Sequence, residues 1–429
     1  MVHFVTIGAV ILVGTVGLAL FQRRFTAAER PYVWAGLLAH ILAAFAQVVI
    51  IRHYYGQGDM LLYHVQGRQL GDWLESDCLA HAPQLFGLLI QQAETFRVPG
   101  IIVHGAGGST GSMFAVSGFS ALGLGGSLYA ICMLWSLFAF TGQVAIYLGF
   151  RDVFRGQFQR RLLVAAFLIP TVVFWSGGLV KEAFALGGLG FLFLGVQRLI
   201  YRAFRLRHLV VAAVGAACVA LFKPYILFPF FVASGAWYYW YRSLQTRGSV
   251  GAMAEPLYVA VGLVVAVGGV LVFGELFPRY APSNLMNVLV EKQHNALQTP
   301  GGSTYRVDVP ENPSLIGQLR LLPIGLTTAL LRPFIVEAHN AVALINALET
   351  TAILGTIVWV LTGRGPAGTY RTIVASPTAV FCAIFVLLLA TAVGLSSLNL
   401  GTISRYRIPM MPFYVGLLFL LIPSSNSSG

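Results

Sequence analysis

Long apolar runs recur along this chain and leave it few folds to choose from. They lie near 2–21, 32–51, 119–149, 162–180, 183–200, 208–222, 224–240, 256–275, 341–362, 373–395 and 407–422. In hydrocarbon every backbone N–H and C=O must find a partner inside the chain, so such segments become helices. A helix needs about 20 residues to cross a bilayer. The expected fold is all-α: a polytopic integral membrane protein, one transmembrane domain over 1–429, with about eleven spans. A further run, Leu321–Phe334, is apolar but short, and reads as re-entrant or interfacial. Composition agrees, with 57% hydrophobic and 10% charged residues and a mean hydropathy of +0.78. A soluble domain carries about 25% charge, so a cytosolic enzyme, a secreted disulfide scaffold and a disordered chain are excluded. Cys132, Cys218 and Cys382 lie in apolar runs and Cys78 in a polar one, with no CxxC and no loop pair that suggests a disulfide.

The first run lacks a basic leader, and its arginines, Arg23 and Arg24, follow it. It reads as a retained helix rather than a cleaved signal, with the N-terminus outside. Eleven spans then put the C-terminus in the cytoplasm.

The net charge of +12 is not spread evenly. One set of alternate loops holds Arg23, Arg24, Arg30, Arg151, Arg155, Arg160, Arg161, Arg198, Arg202, Arg205, Arg207, Arg242, Arg247, Arg364 and Arg371, against only Glu29, Asp152 and Glu255. The other set balances 12 basic with 12 acidic residues. The positive-inside rule makes the basic side cytoplasmic. The excess is a topology signal and implies no nucleic-acid partner. Mixed acids, bases and hydrogen-bonding groups gather on the other side, in two long outer loops, 53–118 and 276–340. The active or binding site is expected there, at the outer, periplasmic face of an inner membrane.

Four constellations on that face carry chemistry. In residues 54–77, YYGQGDMLLYHVQGRQLGDWLESD, Leu61, Leu62, Val65, Leu70, Trp73 and Leu74 recur at roughly helical spacing. That predicts an amphipathic helix in the interface, with Asp59 at or just before its start. Asp59 fits two roles, an N-cap or a general base held at the membrane surface. Tyr63, four residues on, shares its helical face, and His64 is a candidate for proton transfer or hydrogen bonding. In FWSGGLVKEAF, 174–184, Lys181 and Glu182 begin a helix inside apolar sequence. They read either as a local ion pair or as a phosphate site, Lys181 helped by backbone N–H groups of Ser176, Gly177 and Gly178. Lys223, before Pro224, is a single cation at a hairpin tip, either snorkelling or binding phosphate. In ISRYRIPMMPF, 403–413, Arg405 and Arg407 stand at the outer boundary against the charge trend.

The second long loop adds Glu291 and His294 at i, i+3 spacing. That pair reads as a solvated helix face or as part of a divalent-metal site, short of the three protein ligands of a catalytic zinc. TPGGSTYR, 299–306, is a turn placed to gate an acceptor groove. Arg332, Glu337, His339 and Asn340 cluster before a span that itself contains Glu349, and they read as a lined cavity or a salt-bridge network. No P-loop, GxGxxG after a strand, HExxH or GxSxG is present. The 47 glycines are spread through the spans, where they permit close helix packing. The terminal SSNSSG is low in complexity.

An aspartate just past an early membrane helix, a tyrosine four residues later and an amphipathic helix running into GDW resemble the GT-C superfamily of polyprenyl-phosphate-dependent glycosyltransferases, in its ArnT-like and protein-mannosyltransferase branches. R-Y-R-x-P-x-x-P, from Arg405, is similar to the entrance of the last helix in many of these enzymes. The resemblance implies that Asp59 is the catalytic base and that Arg405 contacts the donor phosphate. It further implies a polyprenyl-phosphate sugar donor, a glycan, lipid or protein acceptor, and membrane lipid around the site. Lys181 and Lys223 join Arg405 as donor-phosphate candidates; Glu182, His294, Arg332, Glu337 and His339 are candidates to line the acceptor cavity. Three other readings stand beside this one: an O-antigen or exopolysaccharide polymerase or ligase, a lipid or polysaccharide transporter or flippase, and a non-catalytic assembly subunit. The cytoplasmic loops offer little polar material to line a transport path.

Overall fold

The computed structural model describes residues 2–92, 96–98, 101–103, 105–246, 274–275, 277, 281–298 and 315–423. Nearly all of the apolar run 256–275, the turn 299–306 and the terminal SSNSSG lie outside them. The protein is an all-α membrane protein; among the described residues it has one small β-hairpin, Phe96–Val98 paired antiparallel with Ile101–Val103 inside the first long loop. Among the described residues, six helices are long and apolar enough to cross a membrane. The chain divides into two compact units, Met1–Lys223 and Pro224–Gly429.

The first unit contains α1 (Val2–Phe21), α2 (Arg30–Val49), α3 (Asp59–Ser76), α4 (Cys78–Leu89), α5 (Ser109–Leu124), α6 (Leu128–Phe154), α7 (Gln159–Phe167), α8 (Pro170–Trp175), α9 (Lys181–Tyr201) and α10 (Leu206–Phe222). Its spine is α6 against α9. A Cβ on Gly190 would stand 2.0 Å from the carbonyl oxygen of Gly142, so the two backbones touch only because both positions are glycine. By contrast α1 is peripheral: only 11% of its most apolar window is buried, and its outward side chains are those that lipid can cover.

Two sequence expectations change here. The run 119–149 is not one span. Gly125 and Gly126, both at positive φ, end α5 at Leu124, and α6 starts afresh behind a Ser127 cap. The run 162–180 is also broken. Pro170 pushes Ile169 into an extended conformation, so two short helices, α7 and α8, replace a continuous one.

The second unit contains α11 (Leu227–Thr246), α12 (Pro282–Gln298), α13 (Leu315–Leu331), α14 (Ala341–Val374), α15 (Pro377–Ser396), α16 (Leu400–Tyr406) and α17 (Met411–Leu421). Its core is aromatic. Trp237 lies 4.7 Å from Phe381, and Phe230, Phe385 and Phe413 close around them. Most of the short run Leu321–Phe334 belongs to a 17-residue helix, α13, that begins earlier at Leu315 and ends at Leu331. The 34 residues of α14 turn at Gly365, whose φ of 70° precedes Pro366. Arg364, at that turn, donates to the carbonyl of Leu421 at 2.6 Å.

Candidate functional site

In the first unit the starts of three helices, α3, α5 and α9, carry the polar groups. The last turn of α2 widens into a π-turn at Ile50–Tyr55, and Gly56 and Gly58, both at positive φ, redirect the chain. Gly58 is the N-cap of α3 and accepts from the N–H groups of Leu61 and Leu62. Asp59 is therefore the first helical residue rather than the cap. Its carboxylate is exposed, at the end of the helix dipole that favours negative charge. The next residue is buried: Met60 accepts from Cys132 Sγ at 3.6 Å, and a Cβ on Gly178 would stand 3.3 Å from its sulfur. The first turn of α3 is thus seated against the segment that leads into Lys181.

Tyr63 points inward and meets Phe114 edge-on at 5.5 Å. His64 Nε2 donates to the carbonyl of Gly126 at 2.9 Å, which places its proton on that nitrogen. Burial, aided by the charges of Arg68, Arg52 and His3, holds its pKa below the ordinary histidine value despite that hydrogen bond. His64 is a neutral clasp on the α5–α6 turn, and only Nδ1 is left for proton transfer. The expected apolar stripe is split. Leu70 and Leu74 are fully buried, whereas Leu62 and Val65 face outward. The reason is a close approach of α3 to α5 in GRQLG: a Cβ on Gly67 would stand 2.0 Å from Ser117 Oγ, and one on Gly71 2.9 Å from Ala121 Cβ.

Lys181 and Glu182 are the first two residues of α9, as expected, and each bonds a group distant in sequence. Lys181 Nζ donates to Ser109 Oγ at 2.9 Å and Thr110 Oγ1 at 3.1 Å, the first two residues of α5. Glu182 accepts from Lys223 Nζ at 3.0 Å, with side chains only 1% and 4% exposed. Lys223 is therefore one half of an internal ion pair, not a snorkelling cation at a hairpin tip. Two charges so desolvated hold only as a pair. Lys181 by contrast stays half-buried. The expected backbone donors are partly committed elsewhere: Ser176 N–H bonds the carbonyl of Val172, and Gly177 N–H that of Phe174.

In the second unit the polar cluster surrounds Arg407. Arg407 is fully buried, donates to the carbonyl of Arg332 at 2.8 Å and bonds Asn346 Oδ1, while Asn346 also bonds Ser404. Arg332 grips both carboxylate oxygens of Glu337, with Nε at 3.0 and 3.1 Å, and Glu337 also accepts from Phe334 N–H at 2.8 Å. The Arg332 hydrogen bond comes first among the causes that hold the Glu337 carboxyl below the ordinary range. Arg405 is half-buried, and His339 is exposed. On α12 Gln293 is fully buried and exchanges amide hydrogen bonds with Gln318. Glu291 is exposed and His294 half-buried, and no three His, Cys, Asp or Glu residues come together as a metal set among the described residues.

Several polar groups found here escape a sequence reading. Ser109 and Thr110 look like ordinary loop residues until α9 is laid beside them. His40 is buried between Ser136 Oγ and Gln143 Oε1, each at 3.0 Å, and Gln47 donates to the carbonyl of Phe174 at 2.9 Å. The signal was available: His40 and Gln47 stand seven apart inside an apolar run, two turns of one helix face. Glu29 is buried at the other end of α2. Burial raises its pKa, but hydrogen bonds from Tyr147, the Thr26 N–H and Gln159, with the charge of Arg151, outweigh it and leave the carboxyl lowered.

Comparison of the chain with protein-family models, with curated proteins and with solved structures finds no match.

Proposed function

We propose that this protein is a glycosyltransferase of the GT-C kind, moving a sugar from a polyprenyl-phosphate donor to an acceptor at the outer face of the inner membrane. The observation that carries this reading is the arrangement of Lys181. Its ammonium is half-buried and held by two hydroxyls, Ser109 and Thr110, so that the starts of α5 and α9 converge on it. Helix starts, hydroxyls and a fixed cation together favour a phosphate group. In the same unit, Asp59 is an exposed carboxylate on a turn packed against the approach to Lys181. The full reading has about eleven spans, and α3 and α4 are jaw-like helices in the outer interface.

The reaction is an inverting displacement. The acceptor oxygen bonds to the anomeric carbon, the carbon–oxygen bond to phosphate breaks, and the acceptor proton passes to the Asp59 carboxylate. Lys181 stabilises the charge left on the lipid phosphate. The resemblance also assigns Arg405 a phosphate contact, which its own substitution tests. Asp59→Asn is the deciding experiment, because an amide cannot take the proton and no cap is lost, Gly58 being the N-cap. Transfer should fall about 10²–10⁴-fold while folded yield and lipid-phosphate binding persist; near wild-type transfer would remove Asp59 as base. Sidedness has its own reporter, since Cys78 is exposed. An impermeant maleimide applied from the periplasmic side should label it, and labelling only from the cytoplasmic side would invert the topology.

The cluster of Arg332, Glu337 and Arg407 supports a second reading, a polymerase or ligase acting on lipid-linked glycans. That reading moves ahead if the Asp59 variant retains transfer.

A further inference from the structure

Two arginine-rich turns that the sequence separates by about forty residues are drawn together by one carboxylate. Asp152, near the end of α6, accepts from Arg202 Nη2 at 2.9 Å and from Arg198 Nε at 3.4 Å, near the end of α9. It is the sole acid in 151–161 and 198–207, which together carry eight arginines. Asp152 therefore joins the two turns without neutralising them. Arg155, Arg160, Arg202, Arg205 and Arg207 are exposed around it. Large apolar side chains stand among these cations: Phe204 is 71% and Leu206 68% exposed.

We infer that this end of the first unit binds anionic phospholipid headgroups of the leaflet it faces. A guanidinium grips phosphate oxygens with two parallel hydrogen bonds. A nucleic acid or an acidic protein would satisfy the arginines but leave Phe204 and Leu206 in water. A lipid surface accepts both, rings and branched chains among the acyl chains and guanidinium groups at the phosphates. The patch also sits at the ends of α6 and α9, two helices of membrane-spanning length, which is the depth of headgroups. This inference is independent of the transferase reading.

The full-length protein in neutral detergent is titrated with phosphatidylglycerol, phosphatidylcholine or inorganic phosphate, and bound lipid is counted by native mass spectrometry. Phosphatidylglycerol should bind at least about a hundredfold more tightly than phosphatidylcholine, since each arginine near such a surface contributes a factor of about five. Inorganic phosphate should leave lipid binding unchanged. R202Q/R205Q/R207Q should lose the anionic preference on the order of a hundredfold; should that variant fail to fold, R205Q alone should lose about fivefold. F204S/L206S should weaken both lipids alike. Equal binding of the two lipids, competition by inorganic phosphate, or preference retained in the arginine variants would overturn the proposal.

Discussion

Both units bury a strong cation, but they use it differently. In the first, Lys223 is enclosed with Glu182 at the end of α10, while Lys181, one residue before that glutamate, remains half-buried between two hydroxyls. In the second, Arg407 is enclosed and turns its two terminal nitrogens to a carbonyl and an amide of its own unit. Charge at membrane depth is costly and is by default a sign of function. The comparison refines that rule. A cation sealed in with protein acceptors ties helices together, whereas one that keeps partial access at a helix start is placed to meet a ligand. By this criterion Lys181 is a candidate for substrate, and Lys223 and Arg407 are fasteners; Arg405, in the last turn of α16, shares the partial access but not the helix start.

The hardest blow to this distinction comes from Glu182. Glu182→Ala strands a buried ammonium and should destabilise the first unit by about 3–5 kcal/mol, read as a lowered melting temperature in detergent. Replacing both partners, in Glu182→Gln with Lys223→Met, should restore most of the loss, since a buried pair exchanged for neutral groups is often close to neutral. Full stability in the single variant would show that Lys223 is not a fastener. Arg407→Met probes the same idea in the second unit, with an expected loss of about 1–3 kcal/mol as the Asn346 amide oxygen and the Arg332 carbonyl lose their donor.

The two half-buried cations, Lys181 and Arg405, should behave in the opposite way. Lys181→Ala and Arg405→Ala should each weaken donor use by about 1.5–3 kcal/mol, the range for hydrogen bonds to charged groups, with little change in melting temperature. Donor titration at matched folded concentration separates the cases. Arg405→Ala should cost more donor affinity than Arg407→Met, and the reverse order would exchange their roles.

The smallest effects concern pH. His64 in the first unit has a folded-state pKa below its ordinary 6.5, so the unfolded chain binds that proton more tightly. Its contribution is present above that value and is lost as pH falls below it. Glu337 in the second unit is lowered from 4.5, so its contribution is present above that value and fades only as pH falls towards the lowered value. Melting curves should therefore show a shallow loss below pH 6.5 that His64→Gln reduces and Glu337→Gln leaves intact. A step of unchanged size in His64→Gln would assign it to other groups.

The sequence by itself determined the class of the molecule. Backbone groups in lipid have no water to bond, so long apolar runs in this chain were bound to become helices, and α1, α2, α9 and α15 lie close to where hydropathy puts them. It also marked Lys181 and Glu182 as a helix start and Asp59 as a charge beside one, because those signals are local. Only the tertiary structure decided who meets whom. Glu182 bonds a lysine 41 residues away, Lys181 meets hydroxyls 72 and 71 residues back, and Arg407 reaches 75 residues back to Arg332. The split of α3 into a buried and an outward face was likewise set by its close approach to Ser117 and Ala121. Hydropathy and helical period act within one turn or one span of chain. Burial of a particular charge depends on which distant helix covers it, and that follows from packing, in which glycines such as Gly67, Gly142 and Gly190 set the distances of closest approach.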